Sequence, residues 1–332
     1  MSWREADLLP ALLAVLQGPD GLDAGNGVVL GPGDDAAVWQ PSGAVVATVD
    51  SVVAGCDWLP EWTPHEAIGH RALAVNLSDL AAMGAKPRVV LLALELPPDA
   101  DPADVLASAR GLRRLADRHN VSIVGGDLGC SPGPARWTVT ALGEQGGALL
   151  RRTTAQPGDR VWLVGPQQGL AVGAAAAGLA MLKHGFANEP AAQPVLAAHL
   201  WPEPQVAAGQ WLSGLGRRVA VLDLSDGLGL DAQRLALASG VSLALDLPRP
   251  PWLTPWLQTV ADNLGLDWRQ WVAAGGDDYA LLVAAPPDLD LSPLGATHIG
   301  WAGLGVGVTL AVAGQPTVLG GHLHGAATAK LQ

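Results

Sequence analysis

Aspartate recurs at the ends of apolar runs throughout this sequence, and those positions are where its chemistry has to be sought. Asp34 and Asp35 follow Gly-Pro-Gly, Asp50 closes the run Ala44–Val49, and Asp127 follows Gly125-Gly126. Asp223, Ser225 and Asp226 end a third run, and Asp277 and Asp278 lead into a fourth. Singly, each has an ordinary explanation, because Asp caps helices and closes Asx turns. Asp79 is harder to explain that way. It lies within a helical stretch, Ala72–Gly84, on the side carrying Ala72, Val75 and Ala82, where an unpaired carboxylate is costly. The set as a whole suits a hard cation. Mg²⁺ takes oxygen ligands, one or two carboxylates per ion, with waters and substrate phosphates completing the shell. Several carboxylates at strand ends, without a His/Cys cluster, therefore suit two or more Mg²⁺ ions gripping a polyphosphate. Arg152 can add a bidentate phosphate contact; the alternative is an ordinary surface arginine beside Arg151.

Other chemistries are poorly supported. The chain has no Gly-Lys dipeptide, hence no Walker A loop, and no GxGxxG. In His65-Glu66-Ala67-Ile68-Gly69-His70 the histidines are five apart, about 140° around a helix, which does not suit zinc. Net charge is −12, with 31 acidic and 19 basic residues and no basic cluster, so nucleic acid and anionic membranes are poor partners. An acidic protein that handles phosphates needs positive charge from elsewhere, and a bound divalent cation supplies it. Two cysteines, Cys56 and Cys130, are too few for a disulfide framework and read as intracellular free thiols. The N-terminus lacks a basic signal-peptide region, and the apolar stretch Gly169–Leu182 is too short to span a bilayer. A soluble, cytoplasmic protein is expected.

The elements that must position these acids alternate along the chain. Helices are expected over residues 4–17, 65–83 and 102–119, and strands over Ala44–Val49, Arg88–Leu96, Val121–Val124 and Trp137–Gly143. A composition change near residue 150 separates residues 1–150 from 151–332. Beyond it come a strand at Arg160–Val164, an Ala-rich helix over 169–183, a strand at Val219–Leu224, a helix reaching Ser239, and a strand at Tyr279–Ala284. Alternating strands and helices in both halves imply a pair of α/β or α+β domains. Arg88–Leu96 is apolar at nearly every position, which demands cover on both faces.

Seven segments resemble the thiamine-monophosphate kinase family: GPGDDAAV (31–38), TVDSVVAG (48–55), RALAVNLSDLAAMGAKP (71–87), IVGGD (123–127), RTTAQPGD (152–159), LDLSDGLGLD (222–231) and GGDDYALL (275–282). They occur in order across nearly the whole chain. The resemblance implies a two-domain fold of the aminoimidazole ribonucleotide synthetase superfamily. Its N-terminal domain, 1–150, would bind ATP and Mg²⁺ and pair across a homodimer; the C-terminal domain, 151–332, would be α/β. It further implies Mg²⁺ ligands at Asp34, Thr48, Asp50, Asp79, Asp127, Asp223 and Asp226, with Val49 contributing at most its carbonyl. ATP would be held by Gly126, Asp127, Arg152 and Ser225. Thiamine monophosphate would lie near Asp57 and Asp277, with direct in-line transfer and no residue acting as general base or nucleophile.

Three departures fall on the acceptor side. The family usually has His where this chain has Asp57 and Glu where it has Asp277, and residues 320–326 offer no clear match for an expected C-terminal aromatic. Within the superfamily, a selenophosphate synthetase would need an N-terminal reactive Cys with a Lys, and a hydrogenase maturation factor would end in Cys; this chain ends Ala-Lys-Leu-Gln. A purine-pathway ligase fits the helix motif less well. The non-enzymatic alternative is a degenerate Mg²⁺- and nucleotide-binding regulator.

Overall fold

The computed structural model describes residues 3–17 and 26–321. They form two compact units: one holds the described residues up to Leu80 with Ala85–Gly146, the other Ala81–Gly84 with the described residues from Gly147 onward.

In the first unit, α1 (Glu5–Gln17) precedes a short hairpin, β1 (Val28–Leu30) and β2 (Val38–Trp39), then β3 (Val45–Val53), α2 (His65–Ala82), β4 (Ala85–Leu96), α3 (Pro102–Arg118), β5 (Ser122–Cys130) and β6 (Arg136–Gln145). The last four strands make one sheet in the order β3-β6-β4-β5. Only β4 and β5 are parallel, and α3 is the crossover that such a pair requires. Asp101 starts α3 by accepting a hydrogen bond from Ala103 N (2.8 Å), with Pro102 in the first turn, the usual N-terminal pairing. One face of the sheet is core: Val90, Leu92, Leu94, Trp137, Val139 and Ala141 are all buried. Helices α2 and α3 pack backbone to backbone. A Cβ on Gly69 would lie 1.8 Å from Ser108 O, and one on Gly111 1.8 Å from Glu66 O; no other residue fits this crossing.

In the second unit the elements run β7 (Arg160–Val164), α4 (Ala174–Lys183), α5 (Gln193–Leu200), α6 (Val206–Gly214), β8 (Ala220–Asp223), α7 (Leu228–Ser239), β9 (Ser242–Leu247), α8 (Pro255–Asn263), α9 (Trp268–Ala274), β10 (Leu281–Ala285), β11 (Thr297–Gly303), β12 (Gly307–Val312) and β13 (Gln315–Pro316). All seven strands join one sheet, β13-β12-β9-β11-β7-β10-β8, antiparallel except for β9 with β12. Every residue of β8 and β10 is buried, so both faces there are covered.

The largest departures from the sequence reading fall at three boundaries. The Ala-rich helix begins at Ala174, not 169, because Gln167, Gln168, Gly169 and Gly173 all take positive φ, which no α-helix admits. The strand expected to stop at Val124 continues as β5 through Gly125-Gly126-Asp127 to Cys130. Similarly β3 runs past Asp50 to Val53, so Asp50 and Asp127 lie within strands rather than at their ends.

Candidate active site

In the first unit, alternation along β3 divides its residues between two faces. Thr48 and Asp50 fall in register with Ala141 and Val139 on the core side, and α2 lies against that side, since Thr48 Oγ1 donates to Asp79 Oδ2 at 2.5 Å. Asp79 is half-buried between the fully buried Leu77 and Leu80, and this bond is part of what makes its position tolerable. Val49 falls on the opposite face, 59% exposed, leaving only its carbonyl as a possible ligand.

Asp127 reaches the sheet differently. Between Val90↔Ile123 and Leu91↔Gly125 the β4–β5 register skips Val124, a bulge of one residue. That extra residue reverses the alternation, so Asp127 pairs with Ala93 on the face that carries Leu91, Thr138 and Thr140. There Asp34, Asp35, Gly126 and Asp127 line a cavity of about 860 Å³ whose apolar wall includes Leu12 and Leu91. The structure thus brings Asp34 and Asp127 to one cavity and sets Thr48, Asp50 and Asp79 on the other side of the sheet. Gly126 is irreplaceable, because a Cβ would meet Leu92 O at 1.8 Å.

The acidic loop before β2 is moored by a polar network absent from the sequence reading. Asn26 donates to Asn120 O (2.8 Å) and Ser122 Oγ (3.1 Å), and Trp39 Nε1 donates to Asn26 O. Arg88 Nε reaches Glu144 Oε2 at 2.8 Å, and Glu144 also accepts from Ser42 N and Oγ. Burial opposes ionisation of Glu144, but the Ser42 and Arg88 bonds outweigh it and hold its carboxyl below the usual range. Asp34 itself is exposed and accepts from Asp35 N. Asp57 is half-buried and accepts from Val53 N at 2.9 Å, closing its own turn.

In the second unit two loops lie side by side. Asp277 N donates to Ser225 O (2.9 Å), Tyr279 N to Leu224 O (2.8 Å), and Leu224 N to Ala280 O (2.9 Å). Gly227 has φ 108 and a Cβ there would stand 2.6 Å from Gly275 O, which explains the Ser-Asp-Gly sequence. Asp231, only 1% exposed, accepts from Ser225 N and Asp226 N through Oδ2 and from Arg234 through Oδ1. Burial pushes the Asp231 carboxyl up, opposed by the Asp226 N–H and Arg234. Arg234 also donates to Asp226 Oδ2 at 2.5 Å. Asp223 is buried.

In the GGDD loop, Asp277 and Tyr279 both adopt left-handed backbone, φ 66 and 49, a strain more often met at functional positions. Asp277 is 7% exposed and accepts from Tyr279 Oη at 3.0 Å. Both oxygens of Asp278 accept from Gly173 N. Arg152 is exposed, with its carbonyl held by Ser239 Oγ at 2.7 Å, and its loop is anchored where Arg218 grips Asp159 with two nitrogens, at 2.6 and 2.7 Å. The C-terminal aromatic contact sought around residues 320–326 falls mostly outside the described residues, which end at Gly321.

Sequence reasoning missed Asp231, Arg234, Arg218 and the Arg88–Glu144 pair. The one available signal was the Asp231/Arg234 spacing of three on a helix, which makes neighbours.

A chain with these two α/β units and motif acids belongs to a recognisable class: the AIR synthase related protein, N-terminal domain family matches residues 33–144. The thiamine-monophosphate kinase of Corynebacterium glutamicum is 35% identical over 259 residues, covering 75% of each chain. The crystal structure of the thiamine-monophosphate kinase from Stenotrophomonas maltophilia superposes with TM-score 0.77 at 34% identity, covering 96% of this chain and 99% of that one. The structure of AaThiL complexed with AMPPCP and TMP gives TM-score 0.75 at 29% identity, over 88% of this chain and 91% of its own. The chain belongs to the thiamine-monophosphate kinase family.

Asp278 gives a pH test. Enclosure raises its pKa well above the usual carboxylate range; the Gly173 and Ala175 N–H groups oppose this, and the charges of Asp277 and Asp231 add to it. Above about pH 4 an unfolded chain has lost this proton while the folded chain keeps it, so stability falls as pH rises through that interval. Asp278→Asn should flatten this fall, read as urea midpoints at acidic and neutral pH; an unaltered slope would assign the proton elsewhere.

Proposed function

We propose that this chain phosphorylates thiamine monophosphate with ATP, giving ADP and thiamine diphosphate by direct in-line transfer. The observation that carries this is its 35% identity across three quarters of a thiamine-monophosphate kinase. A solved relative complexed with AMPPCP and TMP supports the same pair of substrates. The nucleophile is an oxygen of a phosphate monoester, whose second pKa of about 6 leaves it mostly dianionic at neutral pH. No general base is therefore needed. What the chain must overcome is repulsion between two polyanions, and it must hold their oxygens in line.

Mg²⁺ would supply charge neutralisation for the phosphates when bound. The residues fit it. Asp34, Thr48, Asp50, Asp79 and Asp127 in the first unit, and Asp223 and Asp226 in the second, are all hard oxygen donors. Val49 would add only its carbonyl. Among the described residues no three acids, histidines or cysteines gather closely enough to hold an ion. An ion held here would therefore take one or two carboxylates and need phosphates and water to complete its shell. For ATP we assign Gly126, with the backbone bare of any Cβ, together with Asp127, Arg152 and Ser225. A coupled assay of ADP release, with thiamine monophosphate against other phosphorylated acceptors, tests the reaction. Asp50→Asn, Asp79→Asn and Asp226→Asn should each lose more than about tenfold in rate, over 1.4 kcal/mol, while remaining folded. ATP turnover indifferent to thiamine monophosphate would leave a regulator or another superfamily activity instead.

Asp57 and Asp277 are assigned to the acceptor. A carboxylate beside the incoming phosphate would repel it, so Asp57 faces the cationic thiazolium or the aminopyrimidine. Asp57→Asn keeps an acceptor for Val53 N and removes the charge. It should raise KM for thiamine monophosphate severalfold and leave KM for ATP unchanged, as loss of uniform binding does. No change in either would reduce Asp57 to a turn residue.

We also read the protein as a cytoplasmic homodimer. Both cysteines are free, as suits a reducing compartment, and no described helix is long and apolar enough to cross a membrane. The sheet face opposite α2 leaves Val45, Val49 and Leu91 exposed at 46, 59 and 38%, an apolar surface that a second copy would cover. Sedimentation at micromolar concentration should give a dimer; a monomer there would contradict it.

A further inference from the structure

Asp226 is not held by its own backbone alone. Asp231 Oδ2 takes both Ser225 N (3.1 Å) and Asp226 N (2.9 Å), fixing the peptide that carries Asp226. The other Asp231 oxygen takes Arg234 Nη1 at 2.7 Å, and the same nitrogen takes Asp226 Oδ2 at 2.5 Å. One buried acid and one arginine, both on α7, thereby fix the backbone and the carboxyl of Asp226 together. Among the described residues Arg234 is the only side chain bonded to the Asp226 carboxyl, and it occupies one oxygen, leaving Oδ1 for another partner.

We propose that Arg234, backed by Asp231, is the positioning residue that presents Asp226 to a divalent cation bound with the nucleotide. The proposal rests on the assignment of Asp226 as a cation ligand. Charge alone argues against it, since an arginine beside a cation site repels the ion. Geometry argues for it. A ligating carboxylate is normally oriented by a bond at its second oxygen, and loss of such partners typically lowers metal affinity by about 10–100-fold. Because both bonds leave a single nitrogen, a lysine ammonium at this position can substitute for the guanidinium, which it could not do for a two-nitrogen fork.

The test is the Mg²⁺ midpoint for binding of AMPPCP, measured by calorimetry at fixed nucleotide with magnesium varied. Arg234→Gln should raise that midpoint about tenfold, and Arg234→Lys should bring it back toward the unmodified protein. An unchanged or lowered midpoint in Arg234→Gln overturns the proposal; the lowered value is what relief of charge repulsion would give. Weaker AMPPCP binding at saturating magnesium, with the midpoint unmoved, would make Arg234 a phosphate contact and also overturn it. Should Arg234→Gln not fold, Asp231→Glu keeps every charge and displaces the carboxyl by one methylene. It should raise the same midpoint, and an unmoved midpoint there overturns the proposal equally. Asp226→Asn separates the levels. If it raises the midpoint while Arg234→Gln does not, only the positioning role fails; if it has no effect, the ligand assignment fails and this proposal with it.

Discussion

A carboxylate taken out of water must have its lone pairs filled, and much of this structure follows from how that demand is met. Asp231 is the clearest case. At 1% exposure it would be untenable alone, yet it gathers two backbone N–H groups and one guanidinium nitrogen. Those bonds fix the Ser225-Asp226-Gly227 turn. The turn in turn supplies Ser225 O and Leu224 O to the GGDD loop. The strained residues Asp277 and Tyr279 are thus held by a neighbouring loop that is itself held by a buried acid. Removing one partner from such a network costs more than the bond it made, because the others are left desolvated.

The first unit solves the same problem with different partners. Glu144 is ringed by Arg88 and Ser42, and through Asn26 the same cluster reaches the hairpin that carries the acidic loop. Asp79, on α2, accepts from Thr48 on β3. The contrast is informative: Glu144 and Asp231 are nearly closed off from solvent, whereas Asp34, Asp50 and Asp127 remain exposed. The enclosed carboxylates hold the frame, and the exposed ones lie where a ligand can reach them.

This division explains what could be read from the sequence. Helix α2 is legible because its small residues, ended by Gly84, leave little else to fold into, and the observed span His65–Ala82 differs from expectation by one residue. Asp79 stands out for the same reason, as the one acid in this helix beyond its first turn. The face taken by Asp127 was not legible. It depends on a one-residue bulge at Val124, and nothing in Ile-Val-Gly-Gly-Asp distinguishes a bulged strand from a strand that ends. The break before α4 was hidden likewise, since Gln167 and Gln168 adopt left-handed backbone that neither residue type favours. Asp231 and Arg234 were overlooked because each reads as an ordinary helix-surface residue until the turn folds back over them.

Asp57 and Asp277, where the resemblance expects His and Glu, gain a physical sense from the same accounting. At position 277 the backbone is left-handed, a region that Asp tolerates better than Glu because its short side chain can bond locally. Here the carboxyl does bond locally, to the hydroxyl of Tyr279 two residues on. At position 57, where the resemblance expects His, the carboxylate accepts from Val53 N. A histidine could accept there only through a neutral ring nitrogen of the right tautomer. Both replacements substitute a short acceptor that turns inward and stiffens its own loop. A loop held by its own side chain depends less on the ligand to order it and loses less entropy on binding.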